Sequence, residues 1–323
     1  MNKLLGTVLT SALTISLLAG CGTSTSSKKK VGIIQFMDHT SLNEIKDSFD
    51  KEMKTLGYDD KNIEYTFKNG QGDTNTCASI ANDFAGKNFD CVMAIATPAA
   101  QAVAKLATKT PVVFSAVTDP VGAQLTSSLS KPDKNITGTS DEVQVDQIID
   151  KALEINPNTK TIGMLYNKGE PNSVTNIKKA KAYCAKKNIK VEEATIASVN
   201  EAQSAVNVLN SKCDAIFAPN DNTVASAMNV VSDACKKANK PLYVGADSMV
   251  KDGGFLSVGI DYKELGKETA KIVDKVLKGN KVENIPVKVF KTNLKIYVNT
   301  TTKDKLGIKL PENITNDSKY TEI

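Results

Sequence analysis

Three groups of residues in this chain could recognise a charged or planar ligand. Thr97-Pro98-Ala99 follows the apolar run Cys91–Ile95, which places a hydroxyl at a helix N-cap and a proline at the first helical position. The first-turn N–H groups of such a helix lack intrahelical partners and carry the positive end of its dipole, so they suit an anionic group such as a carboxylate. Ser115 and Ala116 end the next apolar run and would close the same pocket. The competing reading is that Thr97 only caps its own helix; its place after a central strand weighs toward a ligand. Opposite in sign are Asp221, Asp247 and Glu170, which follow apolar runs of the second half of the chain. A carboxylate there can hold an ammonium group through a charge-assisted hydrogen bond. Asp221 and Asp247 are favoured for that role, although each acid also reads as a helix N-cap, Asp221 most of all. Asp141, in Thr137-Gly-Thr-Ser-Asp141, either caps the helix that follows or reaches into the same space. Phe36 and His39, with Gln35 beside them, suit stacking or edge contacts to a flat ligand, against readings as a core-strand end and an exposed loop residue. Asn172 and Asn220 lie in the corresponding polar loops of the second half.

The elements that must position these residues are short β-branched runs alternating with amphipathic stretches. Val31–Phe36 reads as a buried strand, and Leu42, Ile45, Phe49, Met53 and Leu56 recur at helical steps up to Gly57. Strand 62–67, helix 76–86, strand 91–95, helix 98–108 and strand 112–115 continue the series, the pattern of a parallel doubly wound sheet. The grammar then restarts. Thr161–Tyr166 matches Val31–Phe36 at an offset of 130 residues, and Asp214 matches Asp90 at an offset of 124. Two similar offsets indicate duplicated architecture, an α/β protein of two Rossmann-like lobes. The expected division puts 31–138, with 255–260 and 285–323 returning, in lobe 1, and 139–254 with 261–284 in lobe 2. A multi-strand hinge joins them, and the site is the cleft where the carboxyl ends of both sheets meet.

The N-terminus has its own message. Met1-Asn-Lys followed by an apolar run from Leu4 to Leu18 is an export signal too short to span a bilayer comfortably. It closes on Leu18-Ala-Gly-Cys21, which resembles the lipobox of bacterial lipoproteins and implies cleavage after residue 20, lipidation of Cys21 and residence on the outer face of the cell membrane. Residues 21–30, rich in Ser, Thr and Lys, read as a flexible tether.

Composition excludes several classes. All 41 basic residues are Lys, so the guanidinium that recognises phosphate bidentately and stacks on bases is missing, and nucleic acid is not an expected partner. The formal charge of +5 is scattered over solvated helix faces. With a single His, no GxSxG elbow and no GxGxxG after the first strand, hydrolytic and dinucleotide-dependent catalysis lack their parts. No Cys/His cluster has metal-ligand spacing, and no cofactor is expected. Cys77, Cys91, Cys184, Cys213 and Cys235 are odd in number and read mostly as buried free thiols, with a Cys184–Cys235 bridge left open.

Taken together, Val31-Gly-Ile-Ile-Gln35 with His39, Gly70-Gln-Gly-Asp73, Ala96-Thr-Pro-Ala-Ala-Gln-Ala102, Phe114–Ala123, Asn135–Asp141, Gly169-Glu-Pro-Asn-Ser173, Asn220–Ser226 and Gly245–Val250 resemble the ABC-transporter substrate-binding lipoproteins of tryptophan- or tyrosine-binding type. The resemblance spans nearly all of the chain after the signal. It implies a type I periplasmic-binding-protein fold, capture of an aromatic amino acid by closure of two lobes, and delivery to an ABC permease and its ATPase. A sugar-binding protein of the same fold would sandwich its ligand between rings, yet aromatics are 5% and Trp is absent. A surface receptor or adhesin on the same scaffold is the other alternative.

Overall fold

A computed structural model describes residues 28–292 and 294–323. The signal segment, Cys21 and most of the tether lie outside the described residues. The chain opens with β1 (Lys29–Gln35), α1 (Thr40–Thr55), β2 (Ile63–Asn69), α2 (Thr74–Ala85), β3 (Cys91–Ile95), α3 (Thr97–Val103), β4 (Val112–Ser115) and β5 (Ile136–Ser140). It then crosses to a second lobe built from α4 (Val145–Ile155), β6 (Thr161–Tyr166), α5 (Pro171–Lys186), β7 (Lys190–Thr195), α6 (Ala202–Asn210), β8 (Ala215–Ala218), α7 (Asn222–Ser226), α8 (Met228–Lys237), β9 (Leu242–Val244), α9 (Asp247–Lys251) and β10 (Leu256–Gly259). It returns through α10 (Tyr262–Leu277) and β11 (Lys288–Val289), and crosses once more into β12 (Lys295–Val298), α11 (Thr300–Lys305), α12 (Glu312–Thr315) and β13 (Tyr320–Glu322).

The two sheets run β2-β1-β3-β4-β5-β11 and β7-β6-β8-β9-β10-β12-β13. All pairs are parallel except β10–β12. Parallel strands are covered on both faces, which is why the central strands read as continuous apolar runs: Cys91 to Ile95 and Val112 to Phe114 are wholly buried. Helix α1 turns Leu42, Ile45, Phe49 and Met53 inward at helical spacing.

The expected alternation holds, and the late segments go elsewhere than expected. Residues 255–260 do not return to the first sheet. β10 pairs with β9 and with β12, and Phe255, Leu256 and Val258 bury in the core of lobe 2 beside Tyr243. Of 285–323 only β11 joins the first sheet, while β12 and β13 extend the second. Conversely α10, assigned to lobe 2 by sequence, packs on α1 and on β3, β4 and β5. Its apolar stripe, including Leu265, Ala270 and Val273, is fully buried there. β10 thus lies between parallel β9 and antiparallel β12, and the face of the first sheet is covered by the helix that follows. The C-terminal residues pair as β13 along β12. Lys29 and Lys30, read as tether, begin β1. The first sheet runs two residues beyond position 138, to Ser140. The helix expected over 98–108 splits into α3 and a 3₁₀ turn at Ala104–Thr108.

All five cysteines among the described residues are free and buried, so Cys184 and Cys235 do not pair. Burial pushes the Cys91 thiol up to about 12, which keeps it protonated and unreactive.

Close approach of α10 to α1 depends on Gly266, where a Cβ would overlap the Ser48 hydroxyl and the Ile45 carbonyl oxygen. Gly266→Ala should therefore lower stability by about 1 to 3 kcal/mol through overpacking, despite the gain of about 1 kcal/mol that alanine brings to an unobstructed helix. Urea denaturation would measure it; a neutral or stabilised variant would contradict this packing.

Candidate functional site

Along the first sheet, β1, β3, β4 and β5 are consecutive neighbours, so their carboxyl ends set His39, Thr97, Ala116 with Thr118, and Asp141 in a row facing lobe 2. Two of these ends carry backbone strain. Ala96 has φ 81° and ψ 155°, and Ala116 has φ 55°, conformations that an L-residue with a Cβ adopts at a cost of about 1–3 kcal/mol. The expected cap is displaced by one residue: Ala96 occupies the N-cap, Thr97 is the first helical residue and Pro98 the second. Thr97 thus does not cap its helix, and its buried hydroxyl has no hydrogen-bond partner. The first backbone N–H after Pro98–Ala99 to close on this turn is that of Ala100, onto the Ala96 carbonyl at 3.0 Å.

Asp141 stands at the first crossover and is buried, with 7% of its surface exposed. Its Oδ1 accepts from the Thr118 hydroxyl at 3.0 Å, and its Oδ2 from Asn220 Nδ2 and the Tyr262 hydroxyl, both at 2.7 Å. All three donors are neutral, and among the described residues no cation pairs with it. Burial pushes its carboxyl up, against the pull of those hydrogen bonds.

The acids of lobe 2 are engaged otherwise. Asp221 caps α7 through Val224 N at 2.8 Å and also accepts from Asn167 N at 2.7 Å and Ser173 Oγ at 2.6 Å. Burial, and then the neighbouring Glu170, push its carboxyl up to about 7. Glu170 clamps the start of α7. Its Oε1 accepts from the Thr223 N–H and hydroxyl, and its Oε2 from the Asn222 N–H at 3.0 Å and Asn222 Nδ2 at 2.5 Å. Asp247 forms an ion pair with Lys251 at 2.7 Å, and Lys251 in turn reaches Glu44 of lobe 1 at 2.9 Å. Burial raises the Asp247 carboxyl to about 6.

The lobes touch across the cleft. Besides Lys251–Glu44, the Ser41 and Ser248 hydroxyls meet at 2.6 Å and Asn220 donates to Thr118 at 2.9 Å. His39 Nε2 lies 3.1 Å from Asn222 Oδ1. The direction of that last bond follows from its surroundings. Asn222 must turn its NH₂ to the Glu170 carboxylate, which leaves Oδ1 for His39, so Nε2 carries the proton and Nδ1 the lone pair. Nδ1 is buried and has no partner. The space enclosed between the lobes is about 10 Å³, room for about one water, so a larger ligand requires the lobes to part.

Of the residues picked out by sequence, His39, Thr97, Ala116, Asp141, Asn172, Asn220 and Asp221 line this space. The others do not. Gln35 braces its own loop through Met37 and Asn43, and Phe36, Pro98 and Ala99 are buried in lobe 1. Ser115, expected to close the pocket, turns to Thr269 on α10 at 2.8 Å, because alternate strand residues face opposite sides of the sheet. Glu170 and Asp247 lie behind the lining. His39, read alternatively as an exposed loop residue, is 9% exposed because lobe 2 covers it. Sequence reasoning missed Ser41, Leu42, Ala96, Thr118, Asn222, Ala225, Met249 and Tyr262. Thr118 and Asn222 stood inside loops already singled out, whereas Tyr262 comes from a helix whose lobe had been misassigned. Among the described residues no group of His, Cys, Asp and Glu is arranged to hold a metal ion.

Burial lowers His39 from an ordinary 6.5 to about 4, so it is neutral at pH 7. Its contribution to the covered state is complete above pH 6.5 and is lost as pH falls toward 4, because the uncovered imidazole takes up a proton that the covered one refuses. Asp38 beside it favours protonation, and the raised carboxyls of Asp141, Asp221 and Asp247 shift stability the opposite way, so the difference from His39→Gln is the informative quantity. Wild type should lose up to about 1.4 kcal/mol per pH unit relative to that variant between pH 6.5 and 4, read by urea denaturation. Parallel pH profiles would contradict it.

Against known proteins, residues 30–321 match the family model described as ABC transporter substrate binding protein. A curated relative, the tyrosine-binding protein of Clostridioides difficile (strain R20291), is 33% identical over 300 residues, covering 88% of this chain and 87% of the relative. Among solved structures, a Streptococcus pneumonia ABC domain in complex with L-Trp is 39% identical, with a TM-score of 0.87 and coverage of 92% of this chain and 100% of that one. The ligand-free, open structure of a substrate-binding protein with adhesive properties from Clostridium difficile is 34% identical, with a TM-score of 0.68 and coverage of 91% and 99%. The family and these neighbours are substrate-binding proteins, not enzymes, and their fold is of the type I periplasmic-binding-protein class. With its two doubly wound lobes closed on a polar cleft, the chain belongs to the ABC transporter substrate-binding protein family.

Proposed function

We propose that this protein is the extracytoplasmic solute-binding component of an ABC importer, taking an aromatic amino acid between its lobes and presenting it to a permease driven by a cytoplasmic ATPase. The observation that carries the ligand class is Asp141, a buried carboxylate met only by neutral donors. An ammonium group would supply the missing counter-charge. The opposite charge of the same ligand has a seat one and two strands away, at the strained Ala116 turn, and at the Ala96 turn with the free Thr97 hydroxyl and the first turn of α3. Both ends of an amino acid are thus provided for without any arginine. Asp221 and Asp247, favoured from sequence, yield the ammonium role to Asp141, since the first is saturated by its cap and loop and the second is paired with Lys251. The relatives named for tyrosine and solved with L-Trp support the aromatic class, with tyrosine, tryptophan and phenylalanine as candidates. At comparable identity the chain superposes more closely on the L-Trp complex than on the ligand-free, open relative, which supports capture by closure.

The lipobox-like Leu18-Ala-Gly-Cys21 supports anchoring at Cys21 on the outer face of the membrane, and no helix of the described residues is long and apolar enough to cross one. The adhesive relative supports a second reading, attachment to surfaces on the same scaffold.

Ligand at 100 times its Kd should stabilise the protein by about 2.7 kcal/mol, so a thermal-shift screen raised by a sugar or peptide alone would refute the ligand class. In calorimetry, Asp141→Asn should weaken amino-acid binding at least about 30-fold, an ammonium–carboxylate pair in a closed site being worth about 2–5 kcal/mol. Asp221→Asn should act mainly on stability. Wild-type affinity in Asp141→Asn would show that the ammonium partner lies elsewhere. Cys21→Ser should shift the protein from the membrane to the medium or leave it unprocessed; unchanged detergent partitioning would disprove the anchor.

A further inference from the structure

The strand order fixes a direction within the cleft. Asp141, Ala116, Thr97 and His39 follow β5, β4, β3 and β1, four consecutive strands, so the row spans three strand spacings, roughly 14 Å. Resting on the amino-acid reading above, the ammonium group occupies the Asp141 end and the carboxylate the Ala116–Thr97 turns. The side chain then extends toward β1, where the buried, unpartnered Nδ1 of His39 waits.

We propose that His39 reads the polar tip of the ligand's side chain, its Nδ1 accepting a hydrogen bond from a phenol hydroxyl or an indole N–H. The tautomer this needs is imposed from lobe 2. Glu170 holds both the backbone and side-chain nitrogens of Asn222, at 3.0 and 2.5 Å, and Asn222 Oδ1 takes the Nε2 proton at 3.1 Å. Because the relay runs from one lobe to the other, the tautomer of His39 is set as lobe 2 approaches it, so selection occurs as the lobes close on the ligand. A buried acceptor left without a donor penalises a ligand that lacks one, and this places phenylalanine below tyrosine and tryptophan. His39 is accordingly a specificity-determining residue, and the glutamate behind it a positioning residue.

The test is calorimetry of L-tyrosine, L-tryptophan and L-phenylalanine on the mature chain, on His39→Leu and on Asp141→Asn. Wild type should bind the better of tyrosine and tryptophan at least about tenfold more tightly than phenylalanine. His39→Leu should bring that ratio to within about threefold by weakening the donor-bearing ligand, while Asp141→Asn should weaken all three alike and leave the ratio standing. His39→Gln, which keeps an acceptor, should restore part of the preference and serves if the leucine variant does not fold. A ratio unchanged in His39→Leu and His39→Gln, or equal binding of phenylalanine by wild type, overturns the assignment of His39 alone. Failure of all three amino acids to bind wild type overturns the ligand class and this inference with it.

Discussion

The Asp141 carboxylate is the point at which the covalent and non-covalent connections of the lobes converge. It sits on the first crossover; its donors come from the β4 loop of lobe 1, from the β8 loop of lobe 2 and from the first residue of α10, just past the second crossover. Burying a carboxylate away from any cation is costly, and only several well-placed donors make it tolerable. Asp141 therefore ties the carboxyl ends of the two sheets together, and among the described residues no cation meets it there. Under the proposed function, the ammonium group of the ligand supplies the counter-charge at this point.

The other acids illustrate how burial sorts chemically identical groups. Glu170 and Asp221 are deep in lobe 2 and accept between them nearly all the donors at the start of α7 and the end of β6. They shape the cleft wall, and Glu170 is linked to lobe 1 through Asn222 and His39. Asp247 has a lysine, and through it reaches Glu44. Carboxylates whose lone pairs are filled by backbone N–H groups of their own lobe orient the walls, whereas Asp141 takes its donors from both lobes.

The proposed anion seat shows the effect of a composition without arginine. The groups that converge at the ends of β3 and β4 are a hydroxyl, a helix terminus and two alanines with positive φ. Such fixed dipoles are pre-organised and need no long side chain to be ordered, so they can suit a small carboxylate in a narrow, dry space. His39 completes the row as a neutral acceptor, its charge suppressed by the lobe that covers it.

By itself the amino-acid sequence determined the alternation of strands and helices, the duplication into two α/β lobes, the placement of the cleft at the strand ends and the burial of the cysteines, because each follows from local periodicity and apolar runs. Loop positions at strand ends also brought His39, Thr97, Asp141 and Asn220 into consideration before any contact was known. Tertiary structure alone decided which sheet β10, β12 and β13 join and that α10 crosses back, since competing edges differ only in partners far along the chain. It alone separated Asp141 from Asp221 and Asp247, whose roles depend on Tyr262, Asn167, Ser173 and Lys251. It also moved the α3 cap by one residue, turned Ser115 to the other face of its strand and enclosed His39. Those outcomes arise from side-chain direction and from contact between lobes, and neither is encoded in the spacing of apolar residues.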